Sequence, residues 1–175
     1  SGGIYSTGNS TILGNEIVGN GQSGGTRYGI TLSNALANGS QTVSRNLVHH
    51  NYGGGLSLTA SAAGVSHLVE HNTFDDNDKV SGTTYEFAAA ISNGSVNVRD
   101  NIFTNNKNYG MYRSGTGGVV DIHHNLVWAN ASGNYSGLSA GSGDINCNPL
   151  YVKTDGTNYR LTEHSPARDA DSQVP

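Results

Sequence analysis

Cysteine, tryptophan and methionine occur once each in this chain, and proline three times. A lone Cys147 excludes an internal disulfide, and its expected place is that of a small buried hydrophobe rather than a nucleophile. Charge is scarce too. Nine Lys and Arg against thirteen Asp and Glu leave a net charge of −4, and no basic run marks a nucleic-acid partner. No apolar stretch is long enough to span a bilayer, so no membrane partner is expected. No segment combines helix caps with a helical period. The hydrophobic share of 34% would suit a disordered chain. Disorder is excluded because the apolar residues are β-branched or aromatic and recur in register.

What the chain has in quantity is glycine, 25 of its 175 residues, and asparagine in a repeat. The pattern Asn-x-apolar-x-x-Asn occurs at Asn15–Asn20, Asn46–Asn51, Asn72–Asn77, Asn101–Asn106 and Asn125–Asn130, with first asparagines 31, 26, 29 and 24 residues apart. Such periods mark a solenoid. Three residues before each first asparagine stands Ile12, Val43, Val69, Val98 or Ile122; two after it stands Ile17, Val48, Phe74, Phe103 or Val127. A further strand series opens on a small residue: Gly3-Ile4, Gly29-Ile30, Gly55-Leu56, Ala90-Ile91 and Gly110-Met111. Three short strands per repeat, bounded by Gly and Asn, predict a parallel β-helix. The asparagines are expected at its corners, taking the left-handed backbone of a tight turn and hydrogen-bonding to one another along the axis.

These repeats resemble those of right-handed parallel β-helix proteins of the pectate-lyase type, over about residues 3–145. The tail, Asn148–Val152, Asn158–Leu161 and Ser165–Ala170, resembles the closing segment of many secreted bacterial β-helix proteins. The expected fold is therefore all-β: a right-handed solenoid of about five to six coils over 1–145, capped by 146–175 of the same domain. The resemblance implies a secreted or cell-surface bacterial protein and an elongated polysaccharide partner. The chain opens inside a strand-like segment and lacks an N-terminal capping helix, so it is expected to be joined to other domains of a longer protein.

The repeat acts as a ruler for candidate site residues. Just before the first asparagines it aligns Arg45, Glu70, His71, Arg99, Asp100, His123 and His124, a large share of the rare charges. They read either as a solvated face with cross-strand salt bridges or as a glycan site with His and carboxylate as acid and base. Between the two asparagines of each motif it aligns Val18, His49, Asp75, Thr104 and Trp128. Trp128 is a sugar-stacking platform if exposed and a terminal plug if buried. Tyr28, Tyr52, Tyr85, Tyr109 and Tyr135 fall near one corner, and Tyr5 and Tyr112 on an outward strand position; each is a stiffening stack or a surface for a linear glycan. Asp75, Asp76 and Asp78 read as an acidic turn or as calcium ligands. In the resembling lyases a base abstracts the C5 proton beside such an ion, and Lys79, Lys107 or Arg99 would fill that role. Zinc at His49-His50 with His123-His124 is disfavoured, since the pairs are not on adjoining coils and neighbours on a strand point oppositely.

Few coils, no complete catalytic constellation and many aromatics favour a non-catalytic polysaccharide-binding module. The alternatives are a polysaccharide lyase or glycoside hydrolase, and a structural or adhesin segment.

Overall fold

The computed structural model describes residues 3–21, 27–34, 36–78, 87–91, 93–153 and 158–168. Lys79 and Tyr85 lie outside the described residues.

Each repeat folds as three short strands, and equivalent strands stack in parallel. Sheet I holds β1 (Ile4–Ser6), β4 (Ile30–Asn34), β7 (Leu56–Ala60), β10 (Phe87–Ile91), β13 (Tyr109–Ser114) and β16 (Gly133–Ser136). Sheet II holds β2 (Ser10–Leu13), β5 (Ser40–Ser44), β8 (Ser66–Glu70), β11 (Ser95–Arg99) and β14 (Val119–His123). Sheet III holds β3 (Glu16–Val18), β6 (Leu47–His49), β9 (Thr73–Asp75), β12 (Ile102–Thr104) and β15 (Leu126–Trp128). The chain is thus an all-β, right-handed parallel solenoid, with no α-helix among the described residues. From the first complete coil to the last it rises through about four turns, slightly fewer than expected. The next coil is begun by β16 but never closed, because sheets II and III are met there only by single bridges at Ser142 and Ile145.

The core is the lumen. Ile12, Val43, Val69, Val98 and Ile122 line it from sheet II, and Ile17, Val48, Phe74, Phe103 and Val127 from sheet III, every one buried. Phe74 and Phe103 stack face to face with centroids 4.9 Å apart and planes 2° from parallel. In sheet I the lumen column runs Ile4, Ile30, Leu56, Phe87, Met111 and Tyr135. Here the sequence expectation shifts: the fourth coil enters at Phe87, not at Ala90-Ile91. Positions 87 and 91 differ by an even number, so strand alternation fits either register. The strand-opening glycines have a steric reason. A Cβ at Gly29 would lie 2.9 Å from Asn51 Nδ2 and Val48 Cγ1, and one at Gly110 2.6 Å from Asn130 Nδ2.

The first asparagines form an unbroken ladder. Asn15, Asn46, Asn72 and Asn101 each donate both backbone N–H and side-chain amide to the Oδ1 of the next asparagine, at 2.9–3.1 Å. The same amides also reach carbonyl oxygens two residues back in their own coil, as Asn72 does at Glu70. The axial bonding matches expectation; the left-handed assignment does not. The residues with positive φ are those before the asparagines: Gly14, Arg45, His71, Asp100 and His124 at one corner, and Gly19, His50, Asp76, Asn105 and Ala129 at the other. The preceding residue turns the corner, which leaves each asparagine free to aim its amide along the axis.

Beyond Ile145 the tail forms an antiparallel hairpin of β17 (Tyr151–Lys153) and β18 (Asn158–Leu161). Tyr159 lies over His49, with ring centroids 4.9 Å apart, and Tyr151 reaches Thr104 at 3.3 Å. The hairpin therefore lies along the outer face of sheet III, across the second to fourth coils.

Candidate functional site

The hairpin divides the surface into a covered face and an open groove. Beneath it, His49 (6% exposed), Asp75 (4%) and Thr104 (0%), all outward-pointing on sheet III, are buried. Asp75 accepts hydrogen bonds from Thr104 Oγ1, Asn105 Nδ2 (2.7 Å) and the Tyr159 hydroxyl (3.2 Å). Burial raises its carboxyl above the usual range, against those three bonds, which favour the carboxylate. Burial likewise raises the Tyr159 phenol, helped by the Asp75 charge. His49 contacts Glu16 at 3.1 Å, and its Nδ1 meets His50 Nδ1 at 2.8 Å.

The three aspartates of the calcium reading, Asp75, Asp76 and Asp78, have separate surroundings. Asp75 is turned beneath the hairpin, Asp76 pairs with His50 at 3.3 Å, and Asp78 is fully buried at the following bend. Among the described residues no three His, Cys, Asp or Glu side chains converge to hold a metal ion. Lys107 is exposed.

The groove runs along the corner between sheets II and III. Its two lobes, of about 450 and 410 Å³, share His71 and Thr73. The first is lined by Glu16, Arg45, His71, Asn158, Tyr159 and Arg160; the second by His71, Asp100, Ile102, His124, Leu126 and Leu161. One wall is the left-handed corner, one residue per coil: Arg45, His71, Asp100, His124. The floor is the first position of the sheet III strands, Leu47, Thr73, Ile102 and Leu126, which stand opposite one another in register. The other wall is β18. From Glu16 on the first coil to Leu126 on the fifth the groove covers four rises, roughly 19 Å.

The ruler thus brings Arg45, His71 and Asp100 into one groove, with His124 beside them. Glu70, Arg99 and His123 are in register on the outer face of sheet II, next to the groove but outside its lining. Arg99 donates to Glu70 Oε2 through Nε (3.1 Å) and a terminal nitrogen (2.7 Å), the cross-strand salt bridge. His123 Nδ1 meets His124 Nδ1 at 3.0 Å.

Among the described residues Tyr109 and Tyr135 do not share one line. Tyr135 points into the lumen column, whereas Tyr109 stands opposite Gly133. Tyr109 and Tyr112 belong to sheet I and line neither the groove nor the hairpin face, while Trp128 lies beside the hairpin in a pocket with Tyr151 and Tyr159. Cys147 is half-buried, not buried, and desolvation raises its thiol. The groove residues that the repeat could not reveal, Tyr159, Arg160 and Asn158, come from the tail; their only sequence signal was the resemblance of Asn158–Leu161 to a closing segment.

A family model described as right handed beta helix region matches residues 1–89, just over half of the 175 residues. No curated protein and no solved structure matches the chain significantly.

Proposed function

This chain belongs to the right-handed β-helix family, and we propose that it is a non-catalytic polysaccharide-binding module whose groove takes a linear glycan lengthwise. One observation carries the reading: a single groove, parallel to the axis, presents an ionisable or hydrogen-bonding side chain from each of several successive coils. The coil rise of roughly 4.8 Å is close to the length of one sugar residue, so each coil offers a polar contact to one ring. Arg45, His71, Asp100, His124 and Arg160 supply the polar contacts, and Tyr159 and the half-buried Ile102 the apolar surface. Those corner side chains sit in a backbone region that non-glycine residues occupy at a cost. Glycine, which occupies Gly14 on the first coil, would relieve it.

Binding is favoured over hydrolysis by spacing. The carboxylates in the groove, Glu16 and Asp100, are three coils apart, roughly 14 Å, against the about 5 to 9.5 Å that paired glycosidase carboxylates need. Glu70, on the adjoining face, is held by Arg99. The setting of such a module is a secreted or cell-surface bacterial protein with further domains. The test is calorimetric titration with linear oligosaccharides of two to six sugars, chosen by glycan array. Affinity rises with length until the groove is filled; a length-independent affinity overturns the reading, and release of unsaturated product identifies a lyase instead.

A further inference from the structure

The geometry points to a second sugar site, separate from the groove: a partly open pocket between the hairpin and the last coils that takes one pyranose ring. It has a volume of about 200 Å³ and is lined by Asp75, Asn105, Trp128, Asn148, Pro149, Tyr151, Lys153 and Tyr159. Tyr159 is the partition, since it also lines the groove. Less than half the volume of either groove lobe, the pocket has room for one ring and not for a chain running through.

Its walls are aromatic and its corners polar. Tyr151 and Tyr159 meet edge to face with centroids 5.2 Å apart, and Trp128, half-buried, closes the pocket with them. An indole face offers flat apolar area to the C–H face of a pyranose. Around it stand the Lys153 ammonium and the amides of Asn105 and Asn148 and the tyrosine hydroxyls, which are bonded to the protein but keep a donor or acceptor position to spare, a mixed set suited to a ring of hydroxyls. Among the described residues neither the Trp128 indole N–H nor the Lys153 ammonium has a protein partner, so both are available to a ligand.

An aromatic box beside a carboxylate is also the chemistry of an organic-cation site. Two observations favour the sugar. Lys153 places a positive charge in the lining, and the Asp75 carboxyl already accepts three hydrogen bonds from the protein. The sugar has two possible sources, a free monosaccharide or the end of a chain, and the pocket chemistry is common to both.

Trp128 is the only tryptophan, so its fluorescence reports on this pocket alone. The whole protein is titrated with glucose, galactose, mannose and xylose, with the linear tetramer of each sugar that binds, and with choline. A saturable change in Trp128 emission with at least one monosaccharide is expected. A matching change with its tetramer assigns chain ends as well; a change with the monosaccharide alone assigns the free sugar. Lys153→Ala, with unchanged melting, and Asn105→Gly, which keeps the positive φ but gives up the bond to Asp75, should each weaken that response about tenfold. His71→Gly, in the groove, should leave it intact, so failure of the groove and failure of the pocket are read separately. No response to any of the four sugars, a response to choline instead, or a sugar response unmoved by both pocket variants overturns the proposal.

Discussion

Asp144 Oδ1 receives from Asn125 the two hydrogen bonds that each asparagine of the ladder receives from the one before it, at 2.7 Å from the backbone N–H and 3.1 Å from the side-chain amide. A carboxylate only accepts, so it ends a series in which Asn46, Asn72, Asn101 and Asn125 both accept and donate. Its other oxygen accepts from the Tyr135 hydroxyl at 2.9 Å and the Gly141 N–H at 2.8 Å. Asp144→Asn keeps the ladder bonds but sets an amide donor against the Gly141 N–H. It should cost about 1–2 kcal/mol, and Asp144→Ala more, by urea denaturation. Equal stability of Asp144→Asn and the parent chain would refute this account of the terminus.

The ladder should be graded in its contribution. Asn72, 1% exposed, accepts two bonds from Asn46 and donates to the carbonyls of Val43 and Glu70 and to Asn101. Asn72→Ala leaves several buried groups unpaired and should cost about 3 kcal/mol or more, whereas Asn15→Ala, at the exposed first rung, should cost about 1 kcal/mol or less. Equal losses would mean that the ladder bonds are not what the buried asparagines contribute.

Acid should weaken the fold through the lumen. His67 is 4% exposed, opposite Gln41 and Val96 in register, and neither ring nitrogen has a hydrogen-bond partner among the described residues. Burial lowers it to about 4 from 6.5. The unfolded chain therefore binds the proton first, and stability is lost as pH falls from about 6.5 towards 4, by up to roughly 3 kcal/mol. Asp75 works in the opposite sense: its raised carboxyl supports the fold below the unfolded value, and that support is lost as pH rises through the folded one. His67→Leu should flatten the stability profile between pH 4 and 6.5. An unchanged slope would assign the acid loss elsewhere.

The groove corner should show a trade of stability for binding. His71 is exposed with φ 55°, so His71→Gly relieves a left-handed side chain. The melting point should stay level or rise, by about 1 kcal/mol equivalent, while affinity for the bound oligosaccharide falls. A fall in both would make His71 a structural residue.

The hairpin should be held through its ring. Tyr159→Phe removes the hydroxyl bonds to Asp75 and His50 but keeps the packing on His49. Amide hydrogen exchange should quicken in Tyr151–Lys153 and Asn158–Leu161 and not in the lumen strands, for a loss of about 1 kcal/mol. Exchange that quickens everywhere would make the hairpin part of the solenoid's cooperative unit.

The sequence by itself determined the solenoid, its three strands per coil, both lumen columns of sheets II and III, and the axial bonding of the asparagines. It could do so because a stacked fold repeats its environment, and each environment selects the same residue at each turn. That regularity also placed Arg45, His71, Asp100 and His124 in one line. Only the tertiary structure decided what lies opposite that line. The tail carries no repeat, so nothing in its sequence says that Tyr159 returns to the second coil, buries Asp75 and leaves a groove on one side and a pocket on the other. Loops of unequal length hid the register of sheet I in the same way, placing Phe87 where Ile91 was expected and taking Tyr135 out of the tyrosine line. Local pattern fixes what is periodic; the path of a non-periodic segment is chosen by the long-range contacts it makes.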